Sequence, residues 1–244
     1  MHGLSSNGWK LSSLIESWGV LKHERILITG CGRSGTAYSA SILSDLGLPT
    51  SHEGVFGLLP VAHGEAEWPL SRPSESSWLA VPFLGELPPG VAVLHQVREP
   101  LAVIRSFARI RLFEDRGPYW EFLAQHLDGL ESLSPLEGVL RYWDEWNRET
   151  EQAAAEAGLP YLRYRLEDLD EALLGEILGF IGFDCDPERL RAALSARPKN
   201  VNTRGDKSRD GDITWESLPA GPALDAVYRR ARTYGYDVPA GCGL

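Results

Sequence analysis

The chain has 244 residues, of which 43% are hydrophobic and 24% are charged, and these proportions are ordinary for a globular protein. The formal net charge of −10 argues against nonspecific binding of nucleic acid, which requires a basic surface. It also disfavours a highly anionic polysaccharide as a partner. Since neither a linker-like tract nor an internal repeat is visible, one domain spanning residues 1–244 is predicted.

Cysteine content and apolar runs indicate the compartment. The three cysteines are odd in number and lack the spacing of a metal site, which favours a reducing environment. No apolar run approaches the roughly 18 residues that a membrane span needs. Residues 1–20 lack the basic start and apolar core of a signal peptide. The sequence therefore predicts a cytoplasmic protein with no membrane span.

Residues 1–22 are predicted to form a short amphipathic helix, and an apolar strand over residues 24–29 follows. The strand leads into residues 30–36, Gly-Cys-Gly-Arg-Ser-Gly-Thr, and then into a predicted helix over residues 37–46. Glycines allow several backbone N–H groups to face one anion, and a helix N-terminus adds partial positive charge. This succession predicts an anion-binding loop.

The loop departs from the P-loop of nucleotide kinases, G-x-x-x-x-G-K-[ST], in the position of its cation. Gly30 and Gly35 have the P-loop spacing, but Thr36 follows Gly35 directly and the lysine is absent. The basic residue is Arg33, two positions before Gly35.

A second short parallel strand is predicted to end within residues 49–54, Pro-Thr-Ser-His-Glu-Gly. In a doubly wound sheet, this position places His52 and Glu53 at the carboxyl edge, beside the anion-binding loop. The alternative is an exposed turn with a solvated charge. Residues 54–90 then form a long segment rich in Gly, Pro, Ser and Trp, and long irregular segments within compact domains are usually functional or disordered.

A buried strand over residues 91–97 ends in Arg98-Glu99-Pro100, and Pro100 suits the first turn of a helix. Ser106 lies eight residues after Arg98, about two turns along that helix. Arg98 and Ser106 could together hold a second phosphate; a surface ion pair and a plain surface serine are the alternatives. A kinase would be expected to end such a strand with an Asp for magnesium, so Arg-Glu weakens a kinase assignment.

The second half of the chain is predicted to be helical apart from one strand, over residues 161–165. Helices are expected over residues 119–130, 136–157, 171–181 and 187–196, and a terminal helix is expected to start at residues 214–216. Trp143 and Trp146 recur at helical spacing, which favours the core. Glu167 and Asp168 are expected to cap the helix that follows them.

These motifs together resemble the sulfotransferases that use 3′-phosphoadenosine 5′-phosphosulfate (PAPS) as sulfuryl donor. In that family Lys or Arg precedes Ser-Gly-Thr in the loop that binds the 5′-phosphosulfate, as Arg33 does here. The 3′-phosphate is bound by an Arg at a strand end, with a Pro two residues later and a Ser on the next helix; Arg98, Pro100 and Ser106 match. A strand before Glu-Asp-Leu matches residues 161–169.

The resemblance covers roughly residues 24–215, which would be the donor-binding core. It implies a three-layer α/β fold of the P-loop NTPase type, with a mostly parallel central sheet flanked by helices. The acceptor would then meet residues 54–90. The acidic composition and several tryptophans favour a small, partly apolar acceptor.

The resemblance also implies a role for each candidate residue. The 5′-phosphate of PAPS would be bound by Gly32, Arg33, Ser34, Gly35, Thr36 and Ala37. Arg33 would stabilise the leaving phosphate, while Arg98 and Ser106 would fix the 3′-phosphate. A late basic loop folds over the 3′-phosphate in the family, which implies Arg204 and Lys207 here, although the usual Arg-Lys-Gly triplet is absent.

Transfer to a hydroxyl requires a base for the acceptor proton. The tyrosylprotein and many bacterial sulfotransferases place a Glu about twenty residues after the loop Arg, and Glu53 has this separation from Arg33. The resemblance is therefore closer to this type, with Glu53 the first candidate and His52 the second. Animal cytosolic enzymes use a His shortly before the 3′-phosphate strand, whereas His95 lies within that strand. No metal is implied.

Two other functions stay open. A small-molecule kinase with an atypical P-loop would require magnesium and ATP. A catalytically silent nucleotide-binding scaffold would bind the donor without turnover, and Glu53 could then be replaced without effect.

Overall fold

Five parallel strands form the centre of the computed structural model, which describes residues 21–64, 66–69, 71–197 and 213–239. The strands are β1 (Arg25–Thr29), β2 (Thr50–His52), β3 (Ser74–Ser76), β4 (Val91–Val97) and β5 (Tyr161–Arg165). They pair in the order β2-β3-β1-β4-β5. Because β1 lies between β3 and β4, the loop that follows it opens at the point where the strand order reverses.

Helices cover both faces of the sheet. They are α1 (Thr36–Asp45), α2 (Leu58–His63), α3 (Pro100–Ile110), α4 (Leu112–Asp115), α5 (Pro118–His126), α6 (Pro135–Glu156), α7 (Glu171–Ile181), α8 (Pro187–Ala196) and α9 (Pro222–Thr233). Short 3-10 helices span Trp78–Glu86, Leu130–Ser132, Leu166–Asp168 and Trp215–Ser217. The predicted α/β class, with a central parallel sheet flanked by helices, is confirmed.

The alternation of side chains along β1 divides the core into two parts. Ile26 and Ile28 face the side packed by α1, α7 and α8. Leu27 faces the other side, where α3, α6 and α9 contribute the larger cluster. Both predicted core tryptophans, Trp143 and Trp146, are almost fully buried in that cluster. The sheet therefore lies between two apolar layers, as the continuous apolar sequences of β1 and β4 require.

Local sequence signals explain where the helices begin. Proline occupies the first helical position of α3, α5, α6, α8 and α9. The carboxylate of Glu99 caps α3, and Asp186 caps α8 in the same way. Ser134 and Glu137 form a reciprocal capping box on α6. Each cap satisfies backbone N–H groups that the helix itself leaves without partners.

Three details differ from the sequence predictions. The segment 54–90 is not irregular throughout, because it contains α2, a 3-10 helix and β3, a buried strand between β2 and β1. Glu167 and Asp168 do not cap the next helix; Asp170 caps α7, and Asp168 pairs with Arg165. The terminal helix α9 begins only at Pro222, after a short 3-10 helix. The helix predicted over residues 1–22 lies largely outside the described residues.

Within the described ranges, no helix combines the length and apolar character needed to cross a bilayer.

His95, on β4, is buried in its neutral form. It is fully inaccessible, and its ring nitrogens bond with the Tyr161 hydroxyl at 2.7 Å and the Asn147 carboxamide oxygen at 2.9 Å. Burial lowers the pKa of His95 from 6.5 to about 3, and the charges of Arg163 and Arg230 contribute to the lowering. Its environment therefore differs from that of a solvent-facing base.

We expect the folded state to lose stability when the pH falls from 7 to 5. The unfolded chain protonates His95 near its ordinary pKa, so the stabilisation is complete above that value and is lost progressively as the pH falls towards 3. At pH 5 the loss is about 2 kcal/mol of the free energy of unfolding. Urea titrations at the two pH values measure it. The variant His95→Gln should lack this part of the pH dependence, and an unchanged dependence in that variant would contradict the assignment.

Candidate functional site

The loop between β1 and α1 has the backbone geometry of an anion-binding turn. Gly30 has φ 140°, and a Cβ there would lie 2.4 Å from the Gln96 carbonyl oxygen. Gly35 has φ 92°, and a Cβ would lie 2.7 Å from the Leu166 side chain. Arg33 is also in the left-handed region, at φ 67°, which is uncommon for a residue with a side chain. The loop therefore requires both glycines and holds Arg33 in a strained conformation.

Side chains from β4 and its end fix the orientation of this loop. The Gln96 carboxamide donates to the Ser34 carbonyl at 2.6 Å, and the Arg98 guanidinium donates to the Arg33 carbonyl at 3.0 Å. Two successive carbonyls are thus held towards β4. The Gly32 N–H donates to the Tyr142 hydroxyl at 2.6 Å, so this amide, a predicted ligand group, is used within the protein.

The start of α1 provides the remaining backbone donors. Thr36 is the first helical residue, and no side chain at the N-cap position, Gly35, caps the helix. The N–H groups of Thr36 and Ala37 come before the first intrahelical acceptor, since the bonds to the Gly35 carbonyl come from Tyr38 and Ser39. With the helix dipole, these amides can bind an anion.

The structure brings His52 and Glu53 to the start of α1. The His52 Nε2 atom lies 3.3 Å from the Thr36 hydroxyl and 3.9 Å from the Glu53 Oε1 atom. The side chains of His52 and Glu53 are 34% and 22% exposed, so both are accessible to a small molecule. The contact with α1 is made by His52, and Glu53 lies next to His52.

Glu53 adopts a left-handed backbone conformation, with φ 52°. Its N–H donates to the Ser76 carbonyl at 2.9 Å. Non-glycine residues with such torsions persist where their surroundings force them, and they concentrate at functional sites. The backbone at Glu53 is therefore held in place by the neighbouring strand.

Tyr119, on α5, meets the Glu53 carboxylate. Burial raises the pKa of the Tyr119 phenol, and the charge of Glu53 and the hydrogen bond to it raise the pKa further. The tyrosine ring is tilted against Trp78 at a centroid distance of 5.9 Å and is 39% exposed. Sequence reasoning missed this contact, because Tyr119 lies far along the chain from Glu53. Tyr119 thus adds an aromatic surface beside the candidate base.

Three arginines, Arg33, Arg98 and Arg109, lie between the loop and α3. The Arg33 Nε–H donates to the hydroxyl of Ser106 at 2.8 Å, so the structure joins the two predicted phosphate-binding positions directly. Burial lowers the pKa of the Arg98 guanidinium, while Glu167 counteracts this and Arg109 adds to it. Arg109 follows Ser106 by one helical turn on α3. Arg98 therefore lies near the cation of Arg109 and near the carboxylates of Glu167 and Glu99.

Arg109 is one of four arginines along α3 and shortly after it, and their environments differ. Arg105 donates to the Ile213 carbonyl at 2.8 Å, and Arg111 pairs with Asp115 at 3.1 Å. Arg116 donates to the Glu131 carbonyl and lies over the Trp120 ring. Of this group, Arg109 is the member placed close enough to Arg98 to affect its pKa.

Glu167 connects the start of α3 to the segment after α9. Its carboxylate accepts from the Glu99 N–H at 2.9 Å and from the Tyr236 hydroxyl at 2.9 Å. Glu99 in turn caps α3, which carries Ser106 and Arg109. The Glu-Asp-Leu motif therefore fixes the start of α3 rather than the start of α7.

Two of the predicted donor-binding residues, Arg204 and Lys207, lie outside the described residues. In the part of the chain that is described, no group of three or more His, Cys, Asp or Glu residues could hold a metal ion. Cys31, inside the loop, is fully buried, and burial raises the pKa of its thiol. Such a thiol is a packing residue rather than a nucleophile.

The chain is an α/β protein whose glycine-containing loop after β1 lies at the switch point of a parallel sheet. A comparison with protein-family models gives no match, and neither does a comparison with curated proteins. Among solved structures, the chain is similar to a sulfotransferase domain from the curacin biosynthetic pathway. The TM-score is 0.52 at 16% identity, and the match covers 89% of this chain and 99% of that domain.

A mouse sulfotransferase complexed with 3′,5′-adenosine bisphosphate (PAP) also matches, with a TM-score of 0.40 at 15% identity. That match covers 92% of this chain and 81% of the mouse chain. At these identities, the comparison with the curacin-pathway domain establishes a shared fold. The chain has the fold of a sulfotransferase domain.

Proposed function

We propose that the protein is a sulfotransferase that moves a sulfuryl group from PAPS to a hydroxyl or amine of a small-molecule acceptor. The observation that carries this proposal is the position of Glu53 beside the start of α1, with Arg33 linking the loop to Ser106 on the other side. In this proposal, two groups of phosphate-binding residues and a carboxylate base lie around one loop. The sulfotransferase fold and the Arg-Ser-Gly-Thr loop support the same function.

Different residues would bind the two phosphates of the donor and remove the proton of the acceptor. The N–H groups of Thr36 and Ala37, with Arg33, would hold the 5′-phosphate, on which charge develops as its bond to sulfur breaks. Arg98, Ser106 and Arg109 would hold the 3′-phosphate. Glu53 would take the proton of the acceptor as the new bond to sulfur forms. The products are the sulfated acceptor and PAP.

His52 and Tyr119 would act on Glu53 rather than on the donor. The imidazole of His52, 3.9 Å from the carboxylate, and the Tyr119 hydroxyl bonded to it would orient the base. Tyr119 would also offer an aromatic face to the acceptor. A base of the Glu type, a single donor-binding domain and a cytoplasmic location belong to the same proposal.

Turnover of PAPS tests the proposal. The full chain, incubated with PAPS and a panel of alcohols and phenols, is expected to release PAP together with a sulfated product. Release should continue in the presence of EDTA, because every phosphate contact in the proposal comes from protein groups. Transfer that requires magnesium and ATP would overturn the proposal in favour of a kinase, and failure of the whole panel would favour a scaffold.

A further inference from the structure

Glu75 carries its carboxyl group in the interior of the sheet, where burial of a charge is energetically unfavourable. It lies at the centre of β3, between β1 and β2, and its residue is fully inaccessible to solvent. Its register partners are Leu27 on one side and Ser51 on the other. A buried carboxylate is tolerated only when hydrogen bonds compensate for the lost hydration.

Hydrogen bonds from the segment around Glu53 reach this carboxylate. The N–H groups of Gly54 and Val55 donate to its Oε1 atom at 2.9 and 3.1 Å. The hydroxyl of Ser51 donates to its Oε2 atom. One buried side chain thus binds the backbone just after Glu53 and the side chain two residues before it.

These bonds coincide with the left-handed torsion at Glu53, φ 52°. The Glu53 N–H is fixed on the Ser76 carbonyl of the same strand β3, and Glu75 fixes the next two amides. A strained torsion persists only when its neighbours over-determine it. If Gly54 and Val55 were released, the backbone at Glu53 could relax, and its carboxylate would leave the position beside His52 and Tyr119.

We propose that Glu75 is a positioning residue that holds Glu53 in its reactive geometry. The proposal rests on the proposed function, since it assumes that Glu53 is the base. The hydrogen bonds of Glu75 go to Ser51, Gly54 and Val55, so it acts through the turn that carries Glu53. Ser51 assists it by binding the second oxygen of the carboxylate.

A double-mutant cycle on the full chain tests the proposal. Glu75→Gln is expected to lower kcat for an alcohol acceptor by about 10- to 100-fold, because small misplacements of reacting groups have effects of this size. KM and the Kd of PAP should stay within about twofold of wild type. In the Glu53→Gln background, Glu75→Gln should have no further effect on kcat, since the residue that it positions is already lost.

Amide hydrogen exchange gives a readout that does not depend on activity. The Gly54 and Val55 amides should exchange about tenfold faster in Glu75→Gln. Ser51→Ala removes one hydrogen bond to Glu75 and keeps the Glu75 side chain, so it should lower kcat less than Glu75→Gln does. If Glu75→Gln does not fold, Ser51→Ala tests the same proposal in a folded chain. Glu151→Gln removes a carboxylate that pairs with Arg163 and Arg230 on the far side of the sheet, and it should leave kcat unchanged.

The outcomes separate the two proposals. A wild-type chain that transfers nothing from PAPS contradicts the proposed function, while unchanged exchange at Gly54 and Val55 in Glu75→Gln overturns the positioning role in either case. Additive effects of Glu75→Gln and Glu53→Gln on kcat would show that Glu75 acts independently of Glu53, which also overturns it.

Discussion

Glu53→Gln is expected to lower kcat for transfer to an alcohol by about 10³-fold while the Kd of PAP stays within about twofold. General bases contribute factors of this order. The glutamine retains the size and hydrogen-bonding capacity of the side chain but cannot accept the acceptor proton. PAP affinity is expected to persist because Glu53 lies at the end of β2, apart from the arginines that would hold the phosphates.

The choice of acceptor provides the control. A phenol acidic enough to be largely ionised at the assay pH carries no proton for a base to remove. The kcat for transfer to such a phenol should therefore fall much less in Glu53→Gln than the kcat for transfer to an alcohol. Equal losses with both acceptors would show that Glu53 binds or orients the acceptor. Full activity with the alcohol would exclude Glu53 as the base.

Arg33→Ala is expected to lower kcat by about 10²-fold or more, the usual loss when one donor to a developing negative charge is removed. Arg33 is suited to this role because its strained backbone, φ 67°, places it inside the loop. Its Nε–H donates to the Ser106 hydroxyl at 2.8 Å, so it lies between the two proposed phosphate-binding regions. Steady-state kinetics with PAPS at saturating acceptor measures the effect.

Two further variants distinguish the effect of the Arg33 charge from the effect of its left-handed backbone torsion. Arg33→Lys keeps the positive charge and should recover most of the activity, although it loses the Nε–H that bonds to Ser106. Arg33→Gly removes the charge but relieves the left-handed torsion, and it should be as inactive as Arg33→Ala. If Arg33→Ala weakened PAP binding and left kcat unchanged, the residue would be a donor-binding group only.

The sequence predicted those parts of the site in which neighbouring residues determine the structure. The loop and the start of α1 are continuous in the chain, and β4 leads directly through Arg98 and Pro100 into α3. Helices α7 and α8 span the predicted residues, Glu171–Ile181 and Pro187–Ala196, although the cap of α7 is Asp170. In each case, the signal and the structure lie within one or two turns of each other.

The parts that sequence reasoning missed depend on contacts between distant residues. Strand β3 consists of Ser-Glu-Ser in a segment rich in Gly and Pro, so no apolar alternation marks it. Two of its polar side chains have partners in the fold: the Glu75 carboxylate accepts from the turn after β2, and the Ser76 hydroxyl donates to the Thr36 carbonyl. Glu167 likewise contacts Glu99 and Tyr236, each about 70 residues away. The side chains of β3 indicate chemistry only once their partners are known.

Calorimetric titration of the full chain with PAP, and separately with ATP and magnesium, tests the central claim most directly because it requires no acceptor. We predict binding of PAP without metal, weakened about 10- to 100-fold in Arg98→Ala, the range expected when a charge-assisted hydrogen bond to phosphate is lost. ATP with magnesium should bind more weakly, since it lacks the 3′-phosphate. Preferential binding of magnesium-ATP, or binding of neither nucleotide, would contradict the assignment of this site to PAPS.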